Sequence, residues 1–258
     1  MANAPERIML LKVPIDIVPQ EELTEVFSSL LPRGRKPDAS EKGIDIVLLS
    51  LWDLLRARRN NDYREYLFSA SLIIPISKSI VSGAKFLTGK TVFRYMPFKF
   101  VISLLTFLEK QDESLYLLGG ASAVLKKAEK NIRSTFPNLK VVGRCEGTIK
   151  KKDEPAVIEA IRKSSPSLLL AGKGIRGREL WIYRRSKLLN QALRLWCSDL
   201  LDVFAEKKRR PSDKVFEMGL ESIGYCLRNP FKIFRIFSYL RYKLLLLYYW
   251  LRGRKGST

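Results

Sequence analysis

The chain contains no histidine. That removes the commonest general base and the commonest metal ligand, so acid–base chemistry falls to carboxylates or to a substrate's own groups. No resident metal or cofactor is expected. Cysteine is scarce as well. Cys145, Cys197 and Cys226 are odd in number and widely separated, which matches neither zinc spacing nor a disulfide framework and points to core thiols in a reducing cytosol. Acidic residues are few: 26 Asp and Glu stand against 47 Lys and Arg, a formal net charge of +21. Such an excess calls for an anionic partner, whether nucleotide, phosphate-bearing lipid or nucleic acid. Long apolar runs are absent too. The longest candidate, Leu244–Leu251, is held between Lys243 and Arg252 and falls well short of the roughly 18–20 residues that span a bilayer. The opening MANAPERIMLLKV lacks a basic segment ahead of its short apolar run, which Lys12 interrupts, so no secretory signal is expected.

What is present is a strand-then-glycine rhythm. Leu115–Leu118 stops at Gly119-Gly120, Leu139–Val142 at Gly143, and Leu168–Ala171 at Gly172 and Gly174. Between these runs lie lengths suited to one helix each, Ala123–Phe136 and Glu154–Ser165. The pattern predicts an α/β fold, an open, mostly parallel Rossmann-like sheet with helices on both faces. Ligands bind such sheets at the carboxyl ends of the strands, where glycine lets them approach the backbone.

The flanking segments fit that plan. Arg7–Val18 reads as a first strand or a hairpin, Glu21–Leu31 as a helix, Pro32–Gly43 as a loop and Ile44–Leu49 as a buried strand. A helix rich in Arg and Asn follows to about Ser69, then the strand LIIP, a turn and a helix through Lys85. Glu179–Ala192 reads as helix and Leu193–Val203 as a return to the sheet. From Glu206 the composition turns basic and aromatic, so residues 1–205 are expected to form the core and residues 206–258 a helical appendage.

In that appendage Ile233, Phe237, Leu240, Leu244, Leu247 and Leu251 recur at steps of four and three, which stacks them in one stripe. Lys232, Arg235, Arg241, Lys243 and Arg252 fall off the stripe, and Tyr242, Tyr248, Tyr249 and Trp250 add amphipathic rings. The expected membrane-contacting residues are Phe237, Leu240, Leu244, Leu247, Tyr249, Trp250 and Leu251, on an anionic membrane surface. The alternative is that the stripe packs on the protein's own core or in a coiled-coil dimer. The basic clusters Lys150–Lys152 and Lys207–Arg210 have no aromatic strand, zinc spacing or helix-turn-helix beside them, so nucleic acid is not the expected partner.

Taken in order, the elements VPIDIVPQEEL, LYLLGGASAV, FPNLKVVGRCEGTI, SPSLLLAGKG with RELW, and the late RRP, GLE and NPFKIFR resemble the WecG/TagA/CpsF family of glycosyltransferases from about Arg7 to Arg241. The resemblance implies transfer of an N-acetylhexosamine, N-acetylmannosamine-like, from a UDP-sugar to a polyprenyl-diphosphate-linked sugar in cell-envelope polysaccharide synthesis. It also implies a metal-free reaction and a peripheral position on the cytoplasmic face of the membrane. It assigns ligand contacts to Ser50, Arg94, Gly119, Gly120, Gly143, Gly172, Gly174, Arg178 and Glu179, with Arg209, Arg210, Arg228, Lys232 and Arg235 neutralising the diphosphate leaving group.

The departures are specific. Where the family places a base aspartate after the LIIP strand, this chain has Ile76, which cannot accept a proton. Ser50 replaces an asparagine, and Arg176-Gly177-Arg178-Glu179 replaces Pro-Lys-Gln-Glu. Glu146 and Glu179 are the remaining carboxylates at strand ends, available either as a substitute base or as helix caps and arginine partners. The two functional expectations are therefore a divergent transferase and a pseudoenzyme that binds a UDP-sugar, a glycolipid or a partner transferase.

Overall fold

The computed structural model describes residues 5–31, 43–189, 193–219 and 234–254. The expected loop Pro32–Gly43 lies almost wholly outside them, as do Cys226, Arg228 and Lys232. The chain opens with a hairpin, β1 (Glu6–Leu10) and β2 (Val13–Ile17), which forms a separate antiparallel two-stranded sheet. Helix α1 (Leu23–Leu30) follows, then β3 (Ile44–Leu49), α2 (Leu51–Ala57), α3 (Asn61–Ser69), β4 (Leu72–Pro75) and α4 (Lys78–Thr88). The second half runs α5 (Pro97–Lys110), β5 (Ser114–Leu118), α6 (Ser122–Thr135), β6 (Lys140–Cys145), α7 (Glu154–Ser164), β7 (Leu168–Ala171), α8 (Glu179–Arg184), β8 (Leu193–Trp196) and α9 (Leu200–Phe204). Helix α10 (Asp213–Met218) and a C-terminal helix (Phe234–Arg254) complete the described chain.

The main sheet has six strands in the order β4-β3-β8-β7-β5-β6, every adjacent pair parallel. Strand side chains alternate between faces, and both faces are apolar, so both must be covered. Ile46, Leu48, Leu72, Ile74, Leu115, Leu117, Leu168 and Leu170 pack on one side with residues of α1, α5, α6 and α9. On the other side Val47, Leu49 and Ile73 meet the hairpin, α2, α3, α4 and the C-terminal helix. Tyr116, Leu118, Leu169 and Ala171 meet α7 and α8 on that same side. The two-faced α/β sheet expected from the glycine rhythm is what the chain forms.

Three boundaries differ from the expectation. Strand β6 continues through Gly143 to Cys145, so Gly143 is an interior strand residue. A Cβ there would collide with the Tyr116 ring on β5, and the glycine makes room for that ring, not for a ligand. The helix expected over Glu179–Ala192 ends at Arg184, and the strand expected over Leu193–Val203 ends at Trp196 before α9. Apolar content alone does not distinguish a short buried strand from a short buried helix.

Two charged residues on neighbouring strands are buried together. Asp45 of β3 and Arg194 of β8 are register partners, joined by bidentate bonds from Arg194 Nε to Oδ1 (2.8 Å) and Nη2 to Oδ2 (2.7 Å). Burial pushes the Asp45 carboxyl up, and Arg194 pulls it back.

The C-terminal helix docks through a row adjacent to the predicted stripe. Tyr242 and Leu246 are buried, and the Tyr242 hydroxyl donates to Ser79 O at 2.7 Å. Arg58 donates to Leu11 O (2.7 Å) and to Tyr249 Oη (3.3 Å), while Trp250 stacks on Phe86 with centroids 5.9 Å apart. Tyr249 and Trp250, expected on the membrane side, thus pack on the protein, Tyr249 against the core and Trp250 against α4. Phe237, Leu240, Leu244, Leu247 and Leu251 remain 66%, 55%, 59%, 47% and 50% exposed, so the described part of the stripe does not pack on this chain's own core; Ile233 lies outside the described residues.

Two substitutions test these contacts. Arg194→Met leaves Asp45 buried without its partner and is expected to lose about 3–5 kcal/mol in urea unfolding, whereas the double variant with Asp45→Leu recovers most of it. Gly83→Ala places a methyl into Tyr242 Oη, and overpacking of about 1–3 kcal/mol should release the C-terminal helix first, read as faster proteolysis after Phe234.

Candidate functional site

In an open parallel sheet the ligand crevice opens at the carboxyl edge where the strand order reverses. Here β3 leads outward to β4 on one flank and β5 outward to β6 on the other, so the connections diverge over the central strands β3, β8, β7 and β5. Ser50 follows β3, Ile76 follows β4, Ser198 stands beyond β8, and the 172–178 turn follows β7.

Ser50 is the N-cap of α2 in a reciprocal capping box. Its Oγ accepts from Asp53 N, and the Asp53 carboxylate accepts from Ser50 N, both at 3.3 Å. Ser77 Oγ accepts from Leu51 N at 3.0 Å, tying the turn after β4 to the same helix start. Ile76 is half-buried against the core. Arg94 Nε donates to Ile76 O (2.9 Å) and Nη1 to Phe216 O (2.6 Å), with its guanidinium 3.7 Å from the Phe216 ring. Lys78 Nζ donates to Glu217 O and Met218 O at the end of α10. These two cations hold α10 against the β4 end, as cations at a helix C-terminus do. Burial lowers the Arg94 pKa to about 10, which leaves it charged at neutral pH.

Glu179, at the start of α8, is 4% exposed and pairs with Arg56 of α2, with Arg178 Nε 3.4 Å from its Oε2. The Arg56 guanidinium lies 4.1 Å over the Tyr63 ring. Asp53 shares this cluster. Burial pushes its carboxyl above the usual range, Ser50 opposes that, and the Glu179 charge adds to it. Tyr63 and Tyr66 stay phenolic because burial pushes both well above 10. The exposed Arg178 carries a left-handed backbone, φ 56° and ψ −136°, a conformation that costs a non-glycine residue about 1–3 kcal/mol.

The glycine turns play a different part from the one expected. Gly119, Gly120 and Gly172 are buried, and their amides are spent on protein. Gly119 N donates to Cys145 O (2.9 Å), Gly120 N to Lys173 O (2.6 Å), Gly172 N to Leu118 O (2.7 Å), and Gly147 N to Gly120 O (2.9 Å). A Cβ on Gly119 would strike the Gly172 backbone, and one on Gly147 the Lys173 and Gly174 backbone. These glycines let turns approach one another. Gly174, at φ 100°, is exposed at the rim.

Glu146 follows β6, at the opposite edge of the sheet from β4. Five strand spacings of about 4.8 Å put it roughly 24 Å from the Ile76 position, too far to replace a base there. Glu179 does lie beside Ser50's helix, but as an arginine-paired, buried carboxylate. Arg210 is exposed, its guanidinium 5.6 Å from the Phe98 ring at the start of α5, and Arg209 is exposed beside it. Arg235 belongs to the C-terminal helix. Asp53, Arg56 and Lys78 join this edge without having been expected there. The Ser50-x-x-Asp53 spacing was the signal for the first, since it marks a capping box at a strand end.

The chain belongs to the glycosyl transferase WecG/TagA/CpsF family, which it matches over residues 8–257. Among its relatives is the N-acetylglucosaminyldiphosphoundecaprenol N-acetyl-beta-D-mannosaminyltransferase of Bacillus subtilis (strain 168), 24% identical over 191 residues, 74% of each chain. The protein of the same name from Bacillus spizizenii is 24% identical over 201 residues, 78% of this chain and 77% of that one. The Staphylococcus aureus (strain MW2) protein, again of that name, is 22% identical over 182 residues, 70% of this chain and 71% of its own.

Asp53 gives a pH test. A carboxyl whose folded pKa is raised binds its proton more tightly in the folded state, so its stabilisation is full at low pH and is lost as pH rises through the folded value. Asp53→Asn removes that dependence. Urea unfolding from mildly acidic to neutral pH should show the advantage of wild type over variant shrinking as pH rises.

Proposed function

We propose that this chain is a glycosyltransferase that moves an N-acetylhexosaminyl group, N-acetylmannosamine-like, from a UDP-sugar to a polyprenyl-diphosphate-linked acceptor at a membrane surface. The observation that carries this reading is the family match across nearly the whole chain, joined to a carboxyl strand edge that bears Arg56, Lys78, Arg94 and Arg178. Arg178 and the α10 segment, held by Arg94 and Lys78, flank the crevice, so a developing diphosphate charge meets fixed positive charge there. The exposed row from Phe237 to Leu251 supports peripheral attachment, since no described helix is long and apolar enough to cross a membrane.

With Ile76 in place of a carboxylate, the acceptor's proton needs another base. Asp53 suits the role better than Glu179. It keeps partial exposure and a raised proton affinity, whereas Glu179 is buried and spent on Arg56. In the forward step Asp53 takes the hydroxyl proton as the acceptor oxygen attacks the anomeric carbon, and UDP leaves with the bonding pair.

Ile76 also favours a second reading, in which the fold binds the nucleotide sugar without transferring it. One experiment separates the two. The full chain is incubated with UDP-N-acetylmannosamine and a polyprenyl-diphosphate-linked N-acetylglucosamine, and UDP release is measured beside calorimetric UDP binding. Transfer predicts UDP release whose kcat falls by about 10²–10⁴ in Asp53→Asn with KM little changed. Saturable binding with no release establishes the second reading, and neither binding nor release overturns both.

A further inference from the structure

Between α2 and the C-terminal helix lies a cavity of about 400 Å³ that the transfer step does not use. Trp52, Arg56, Arg59 and Asn60 line it on one side, Ser238 and Arg241 on the other. Three arginines and no carboxylate face it. Arg56 is engaged by Glu179, but Arg59 and Arg241 are exposed and form no salt bridge among the described residues. Two guanidinium groups converging on a polar cavity match the oxygens of a phosphate, which arginine binds in bidentate fashion.

The cavity extends away from the crevice along α2. Trp52 lies near the helix start at the carboxyl end of β3, and seven residues at 1.5 Å each carry the far lining, Arg59 and Asn60, about 10 Å beyond Ser50. The cavity's other wall is continuous with exposed apolar surface. Phe237 and Leu240 immediately precede Ser238 and Arg241 on the same helix, and Leu244 follows one turn on, all three more than half exposed. The wall is also fixed in place, because Arg58 and the Tyr242–Ser79 bond pin that helix to the core.

We propose that this cavity receives the phosphate of an anionic membrane phospholipid, whose acyl chains lie along Phe237, Leu240 and Leu244. A free phosphate would use the arginines and leave the apolar row bare. The lipid satisfies both, and Trp52 supplies an amphipathic ring at headgroup level. Occupancy would set the depth and rotation of the C-terminal helix at the surface, and Arg56 would connect the headgroup to Glu179 at the crevice.

The test uses the full chain without sugar donor or acceptor, so its result is independent of whether transfer occurs. Co-sedimentation is measured on phosphatidylcholine vesicles with and without phosphatidylglycerol. Arg59→Gln/Arg241→Gln is compared with Lys243→Gln/Arg252→Gln, an equal charge loss on the C-terminal helix outside the cavity. Thermal unfolding of each variant confirms that these exposed substitutions leave the fold intact. The expected result is a loss of about tenfold or more in affinity for phosphatidylglycerol vesicles from the cavity pair and about threefold or less from the control pair. Equal losses from the two pairs would reduce the effect to diffuse charge and overturn the proposal. So would retention of wild-type binding by the cavity pair.

Discussion

The carboxyl edge of this protein depends on one set of contacts: backbone hydrogen bonds among the turns that follow β5, β6 and β7. Parallel strands end with their next amides and carbonyls unpaired unless the following turns close on each other. Here Gly119, Gly120, Gly147 and Gly172 do so, exchanging amides and carbonyls at 2.6–2.9 Å. That closure sets the height of the 172–178 turn and therefore where Arg178 and Glu179 stand relative to α2. A side chain at Gly119 or Gly147 would push the turns apart and move the crevice wall with them.

Charged side chains, from buried to exposed, set which elements stay together. Asp45–Arg194 joins β3 to β8, Arg56–Glu179 joins α2 to α8, and Arg94 with Lys78 joins the β4 end to α10. Each of these links crosses a long sequence separation; the last two bring separate pieces of chain to the carboxyl edge, while Asp45–Arg194 ties the strands near their amino ends. A basic chain can bury arginines this way only if each finds a carboxylate, a carbonyl or a ring, and here each of them does. Much of the excess positive charge remains at the surface, where an anionic partner can use it.

The sheet was legible in the sequence because β5 and β7 are short apolar runs ended by glycine, and the helices between them have the length of one crossover. Family membership was legible in the ordered elements from VPIDIV to the late arginines. The role of Gly143 was not, since a glycine that makes room for Tyr116 on the neighbouring strand looks the same as one that ends a strand. The separation of Glu146 from Ile76 was hidden as well, because strand order is a property of pairing and leaves no local mark on the chain. The exposed row of the C-terminal helix was legible from its spacing, whereas the inward placement of Tyr249 and Trp250 was not, since it depends on Tyr242 and Leu246 seating the helix above Gly83.

The hairpin carries a consequence for how copies of this protein can meet. Strand β4 is a rim of the main sheet, and such a rim normally offers unpaired amides to any passing strand. Asp16 fills that role from within. Its Oδ2 accepts from Ile73 N at 2.7 Å, and Arg7, clamped to the same carboxylate, covers the carbonyls of Ala70 and Ser71. Sheet extension from one molecule into the next is therefore blocked on that flank, so any self-association there must be built from side-chain surfaces instead of a shared ladder.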